Sequence, residues 1–144
     1  MSPTKVVLLG VLLAGCTARA PRVAVDALDA GLAPFLAAHP LAGGQNIRAD
    51  EVSRSAGASY HLVQVRGGES PHRHMTHDLT VFVLRGEGTL NLETRRVALT
   101  AGDAAVVPRG TVHWFVNQAR DAALAFVVFT PPLDAPDSVP VDAR

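Results

Sequence analysis

Two histidines separated by one residue are the first feature of this sequence that could do chemistry. His72 and His74 follow Pro71, with Arg73 between them. On an extended strand, side chains two residues apart project from the same face. Two neutral imidazoles on one face can therefore present nitrogen to a single ion of Zn, Fe, Ni or Cu. Two surface histidines would explain the pair just as well, so a third ligand is needed to decide.

The elements that must position such a pair are short strands. From residue 45 the sequence has brief apolar segments at near-even spacing, with Gly and Pro between them. The predicted strands are residues 47–54, 58–66, 79–84, 89–93, 96–99, 104–107, 111–116 and 123–130. This pattern predicts an all-β domain, either an antiparallel sandwich or a barrel. A short helix is expected before it, within residues 26–44, shortened or broken by Pro34.

The third histidine lies in a motif of defined spacing. The motif residues are Gly102, Pro108, Gly110, His113 and Asn117, and the gaps between them are five, one, two and three residues in that order. This run resembles the second motif of the cupin family at every defined position. The region around His72 and His74 resembles the first motif of that family, which here ends at Gly86.

The resemblance implies both a fold and a metal site. The fold would be a double-stranded β-helix, or jelly-roll barrel, over residues 45–131, with residues 132–144 as a loose C-terminal tail. The site would be one divalent transition metal (Zn, Fe, Mn, Ni or Cu) bound inside the barrel by His72, His74 and His113.

The first motif departs from the family pattern at an acidic ligand. The family usually has Glu seven residues before the closing Gly86, where this sequence has Leu79. His77 would share the strand face of Leu79, whereas Asp78 has the right charge but points to the opposite face unless a bulge redirects it. We expect His77 to complete the ligand set, with Asp78 as the alternative. A solvent-exposed rim is the remaining interpretation for both.

Apart from the ligands, the barrel interior is expected to be apolar. Strand alternation places these side chains inward: Leu79, Val81, Val83, Val107 and Phe115. Such a lining suits a small, largely apolar molecule held to the metal by one polar group. Because one fold hosts many chemistries, three functions stay open: metal-dependent binding first, a metal-dependent oxygenase or isomerase second, and a metal-free envelope scaffold third.

The N-terminus indicates export and lipidation. Lys5 precedes an apolar run, residues 6–13, that is too short to span a membrane. Leu13-Ala14-Gly15-Cys16 then resembles the lipobox of bacterial lipoproteins. The resemblance implies removal of residues 1–15, acylation of Cys16, and a tether over residues 16–25. The protein would be anchored in the bacterial cell envelope on the periplasmic side, and in a Gram-negative cell the outer membrane is favoured over the inner one. An uncleaved signal anchor or a wrong start site is the alternative.

Charge and composition limit the partners. Lys plus Arg is 13 and Asp plus Glu is 13, so no net field attracts nucleic acid, and no nucleic-acid partner is expected. Hydrophobic residues make up 48% of the chain, enough for one core, and one cysteine cannot form an internal disulfide. Phe82, Leu84 and Trp114 should face outward and predict a homodimer.

Overall fold

Ten strands form the framework of the computed structural model, which describes residues 20–142. They are β1 Ile47–Arg54, β2 Ser59–Val65, β3 His72–His74, β4 Asp78–Arg85, β5 Glu87–Leu92, β6 Arg95–Thr100, β7 Ala104–Val107, β8 His113–Asn117, β9 Ala123–Thr130 and β10 Ser138–Pro140. They form two antiparallel sheets, sheet A in the order β1-β2-β9-β4-β7 and sheet B in the order β10-β3-β8-β5-β6. The prediction of an all-β jelly roll with a short N-terminal helical segment is confirmed.

Strand alternation gives each sheet an inner face. On β4, Leu79 and Val83 are buried, whereas Phe82 between them is 42% exposed. The inner residues of both sheets form one hydrophobic cluster: Leu79, Val83, Leu90, Leu92, Leu99, Val107, Val127 and Phe129. Full burial of one such side chain contributes about 1.5–3 kcal/mol, so this cluster stabilises the packing of the two sheets against each other.

The N-terminal segment, residues 20–44, covers part of the outer face of sheet A. It contains a 3-10 turn, Asp26–Leu28, and the helix α1, Leu32–Ala38. Pro34 is the third residue of α1, where its missing N–H would have had no partner within the helix. The segment completes a second hydrophobic cluster, whose buried members are Leu28, Val52, Leu62 and Leu124.

Two glycines of the second motif make the corners that lead into β7 and β8. Gly102 and Gly110 have φ angles of 101° and 79°, in the region that residues with a Cβ atom avoid. The first of these turns is closed by the Asp103 carboxylate, which accepts a hydrogen bond from the backbone N–H of Thr100 at 2.8 Å. These corners return β8, which carries His113, to the side of β3.

The C-terminal segment differs from the loose tail expected for residues 132–144. Strand β10 pairs antiparallel with β3, with Ser138 opposite His74 and Pro140 opposite His72. The backbone N–H of Val141 donates to the carbonyl oxygen of Pro71 at 2.9 Å. A Pro- and Asp-rich composition has no local preference for a strand. The strand forms through pairing with β3, which lies far earlier in the chain.

The outward residues expected at a subunit contact differ in exposure. Phe82 is exposed, Trp114 is half-buried, and Leu84 packs against the second hydrophobic cluster, partly under the N-terminal segment. The homodimer therefore stays a prediction. Across residues 20–142, no helix has the length and apolar character needed to cross a membrane.

Candidate metal centre

Three histidines meet at one end of the barrel. His72 and His74 lie on β3, and β8 places His113 directly opposite His72 in antiparallel register. The ring centroids of His72 and His113 are 4.4 Å apart, and that of His74 lies 5.2 and 5.5 Å from them. One ligand nitrogen from each ring can be chosen so that all three lie within 4.8 Å of one another. The predicted trio is therefore positioned to hold a metal ion.

Each of the three rings is oriented by a hydrogen bond at Nδ1. His72 and His113 each place Nδ1 near the backbone carbonyl oxygen two residues earlier, at 2.9 and 3.0 Å. His74 places Nδ1 2.7 Å from Oδ1 of Asp137. Because all three partners are acceptors, Nδ1 carries the donated proton and Nε2 keeps the lone pair in the neutral ring. Three Nε2 lone pairs are a donor set that a transition metal can use.

Burial makes the His113 imidazole hard to protonate. The residue is only 4% exposed. Burial is the main cause that lowers the pKa of His113 to about 4, and the neighbouring His72 and His74 rings lower it further. The hydrogen bond to the Thr111 carbonyl acts in the opposite direction and raises this pKa. A histidine that stays neutral at physiological pH is available to a metal, because no proton competes for its lone pair.

Asp137, which sequence reasoning assigned to the loose tail, is a residue of this site. Its carboxylate is 12% exposed and accepts hydrogen bonds from His74 Nδ1 at 2.7 Å and His77 Nδ1 at 2.6 Å. The backbone N–H and hydroxyl of Thr76 donate to it as well, at 3.1 and 3.0 Å. Burial alone would raise the pKa of Asp137, but the hydrogen bonds from His77, His74 and Thr76 outweigh it and hold that pKa below its usual range. The group is therefore a carboxylate.

His77 lies beside the three histidines but does not join them. Its Nδ1 faces Asp137, and its Nε2 lies 3.2 Å from the carbonyl oxygen of Pro132. Both ring nitrogens thus point at oxygen atoms of the C-terminal segment, so His77 does not direct a nitrogen at the ion that the other three rings could hold. The expectation that His77 completes the ligand set is not met, because the C-terminal segment takes up both of its nitrogens.

Asp78 points away from the site. Its carboxylate accepts hydrogen bonds from the backbone N–H and the guanidinium of Arg109, both at 2.8 Å. These contacts, the guanidinium first, lower the pKa of Asp78 to about 2. No bulge redirects the residue, so it keeps the outward parity of its strand. Neither proposed substitute for the missing Glu therefore reaches the histidines.

The histidines border a cavity of about 550 Å³ between the two sheets. All the side chains predicted to line the barrel do line it, namely Leu79, Val81, Val83, Val107 and Phe115. Leu79, at the position of the usual acidic ligand, is part of this apolar wall. The C-terminal segment closes part of the cavity, since Leu133, Pro136 and Asp137 also line it.

A second acidic residue that sequence reasoning missed is Glu69. It lines the cavity, and its Oε2 accepts a hydrogen bond from the backbone N–H of Phe115 at 2.8 Å. Its own backbone N–H donates to the Phe115 carbonyl oxygen at 2.8 Å. In the sequence it stands three residues before His72, in a loop predicted only as a connection. Its closeness to His72 in the sequence could have indicated a role at this site, whereas no sequence feature indicated one for Asp137.

The predicted lipidation site cannot be placed. Cys16 lies outside the described residues 20–142, as do the expected signal peptide and the first part of the tether. Lipidation of Cys16 therefore stays a prediction.

The sequence of this chain is similar to those of known proteins. The model of the cupin domain matches residues 59–129. An uncharacterized protein of Aquifex aeolicus (strain VF5) is 37% identical over 98 residues, which cover 68% of this chain and 80% of that protein.

Solved structures give the same architecture. KdgF from Halomonas sp. is 31% identical, with a TM-score of 0.55 over 60% of this chain and 81% of that chain. The Streptomyces nucleoside dehydratase Pac13 is 21% identical, with a TM-score of 0.57 over 67% of this chain and 78% of that chain. At that identity the second likeness shows the fold alone.

Proposed function

Residues 59–129 of this chain match the cupin domain, and on that premise we propose that the domain holds one divalent transition metal with His72, His74 and His113. The observation that carries the proposal is the hydrogen bonding of the three rings, each fixed through Nδ1 so that the Nε2 lone pair is the one offered. A set of three imidazoles suits Zn, Cu, Fe and Ni, and Mn less well.

The cavity supports a small, largely apolar ligand. Its volume of about 550 Å³ lies within the range of small-molecule sites. Its walls are mainly aliphatic and aromatic, and within residues 20–142 its lining includes neither Lys nor Arg. A bound ion would supply Lewis acidity toward one carbonyl, carboxylate or hydroxyl oxygen of the ligand. We therefore propose a ligand with one such group and an apolar remainder.

A metal-dependent enzyme is the second candidate function, and Glu69 favours it. One oxygen of this carboxylate is fixed by a backbone N–H, while the side chain borders the cavity. Because Glu69 does not belong to the histidine group, it is available for general acid–base work on a bound molecule. The two functions differ in one respect, since an enzyme needs this carboxylate for turnover whereas a binding protein does not.

The cellular setting is proposed from the sequence. Acylation of Cys16 would tether the domain to the periplasmic face of the cell envelope through the lipid alone. A homodimer through the outer strands is part of the same proposal, because Phe82 and Val106 leave apolar surface exposed on sheet A.

Metal analysis of the full-length protein, purified without a His-tag, tests the central proposal. Wild-type protein should bind close to one ion per chain. His72→Ala, His74→Ala and His113→Ala should each lower the affinity more than the roughly 10- to 100-fold typical of residues that only support a ligand. The measurement is competition with a coloured chelator for Zn, alongside circular dichroism to show that the fold is retained.

Two matched controls separate ligands from neighbours. His39→Ala, outside the barrel, and Asp78→Ala, on the outer face, should leave the affinity within about twofold of wild type, because neither side chain reaches the three rings. If the wild-type protein binds none of Zn, Ni, Cu, Mn or Fe at micromolar concentration, the metal proposal is wrong. The barrel would then be a metal-free pocket or a scaffold.

A further inference from the structure

The C-terminal segment, residues 131–141, crosses the end of the barrel that carries the histidines, and we call it the C-terminal strap. It is attached at both ends. Near its start the Leu133 backbone N–H donates to Ser59 Oγ at 2.9 Å, and Arg54 donates to the Leu133 carbonyl oxygen at 2.8 Å. Near its end β10 pairs with β3. Asp137 lies between these attachments and beyond the residues that the cupin model matches.

The two oxygens of Asp137 have separate partners. Oδ1 accepts the hydrogen bond from His74 Nδ1, whereas Oδ2 accepts those from Thr76 and His77. The contacts to Oδ2 fix the carboxylate plane, and the fixed carboxylate then determines the orientation of the His74 ring. A carboxylate held in this way is a stronger and more directional acceptor than a backbone carbonyl.

His74 needs such a partner because its local backbone does not supply one. His72 and His113 each use the carbonyl oxygen two residues earlier. The residue two before His74 is His72, and His74 instead reaches across to the strap. An imidazole free in water favours the tautomer with the proton on Nε2, which would block the nitrogen that the metal needs. The Asp137 carboxylate favours the proton on Nδ1 and leaves Nε2 unprotonated.

We propose that Asp137 is a positioning residue of the metal centre, which holds His74 in the metal-binding tautomer and orientation from the C-terminal strap. The inference rests on the proposed function, since it assigns a role toward the same ion. It also gives the centre an anionic group. Neutral imidazole nitrogens bring no charge to an ion and Leu79 contributes none either, so the Asp137 carboxylate supplies negative charge through the ring that it orients.

The first test reads the tautomer directly in the metal-free, full-length protein. Long-range ¹H–¹⁵N correlation spectra distinguish a protonated from an unprotonated ring nitrogen. In the wild type, His74 should carry its proton on Nδ1. In Asp137→Ala, His74 should shift toward the Nε2-protonated form, while His72 and His113 keep theirs. An unchanged His74 tautomer in Asp137→Ala would overturn the inference.

The second test measures Zn affinity. Asp137→Ala should lower it about 10- to 100-fold, the usual effect of removing a group that orients a ligating histidine. The nearly isosteric Asp137→Asn keeps the shape but not the charge, and should lose about tenfold. Asp134→Asn is the matched control, because Asp134 lies on the same strap but contacts Arg54, and it should stay within about twofold.

The two proposals fail in different ways. If the wild type binds none of Zn, Ni, Cu, Mn or Fe, the proposed function is contradicted, and the tautomer measurement still decides whether Asp137 orients His74. If the wild type binds Zn but Asp137→Asn and Asp137→Ala bind it equally well, only the role of Asp137 is wrong. A loss shared by Asp134→Asn would also overturn it, because the effect would then come from the whole strap.

Discussion

The two segments that flank the main strands are attached to the barrel by different forces. The N-terminal segment buries Leu28 against the outside of sheet A, in a cluster made of apolar side chains. The C-terminal strap is attached through hydrogen bonds and a short strand pairing, and its central contact is a carboxylate on a histidine of the site. The first segment is held by burial, the second by directional polar contacts.

The two kinds of attachment imply different roles, with the N-terminal segment contributing to the stability of the fold and the strap to the geometry of the site. Hydrophobic burial is non-directional, so the N-terminal segment can stabilise the fold without determining the orientation of any one ring. Hydrogen bonds to Asp137 are directional, so small errors in the strap would change how His74 presents its nitrogen. The comparison therefore predicts that changes at the two ends affect different measurements.

The largest effect on stability is expected at the N-terminal end. Leu28→Ala should lower the free energy of unfolding by about 2–4 kcal/mol, because it removes a buried side chain and leaves a cavity over sheet A. Zn affinity should stay within about twofold of wild type, since no site residue contacts this cluster. Urea denaturation and chelator competition on the same preparations measure the two quantities.

Asp29→Ala is the matched control for that experiment. Asp29 is the neighbour of Leu28 in the same segment but is exposed, so its truncation should change the free energy of unfolding by less than about 0.5 kcal/mol. The comparison between the two segments would be wrong if Leu28→Ala weakened Zn binding as much as Asp137→Ala.

Sequence patterns anticipated what depends on local periodicity. Alternation along β4 predicted that Leu79, Val81 and Val83 face inward, and the motif around His113 predicted a third imidazole beside the His72 and His74 pair. The first prediction follows from the two-residue period of a strand, which neighbouring residues determine. The second is what the resemblance of that motif to the cupin family implied. Parity also argued that Asp78 points outward, and the structure places it against Arg109 on that side.

What the sequence could not show depends on contacts between distant residues. The strap contains prolines and acidic residues, which locally resemble a tail, and it is ordered only through partners such as His74 and His77. The same strap explains why His77 is not a ligand. The ring nitrogens of His77 face Asp137 and Pro132, which belong to a segment that the predicted strands do not include. A carboxylate in a Pro-rich stretch gives no local sign of the histidine it will meet.

An intermediate effect on the free energy of unfolding is expected when the pH is lowered. His113 has a folded-state pKa of about 4, below the ordinary value of 6.5, so the unfolded chain takes up a proton first as the pH falls. The contribution that this lowered pKa makes to the free energy of unfolding is present above pH 6.5, and it is lost as the pH falls toward 4. Between pH 7 and pH 5 the metal-free wild type should lose about 2 kcal/mol more than His113→Leu, which has no proton to bind.

Urea denaturation at the two pH values measures this loss. Leu28→Ala should follow the wild-type pH dependence from a lower starting stability, because burial of an apolar side chain does not titrate. An equal loss in the wild type and in His113→Leu would show that burial does not keep this ring neutral.

The smallest effect is expected where the strap meets solvent. Arg54 donates to Asp134 at 2.7 Å, but the Asp134 side chain is 87% exposed, so water and salt screen the pair. Arg54 also keeps its contacts with Glu51 and the Leu133 carbonyl oxygen when Asp134 is changed. Asp134→Asn should therefore be indistinguishable from the wild type in urea denaturation at both low and high salt. A clear, salt-sensitive destabilisation would mean that this exposed pair, as well as Asp137 and β10, holds the strap across the histidines.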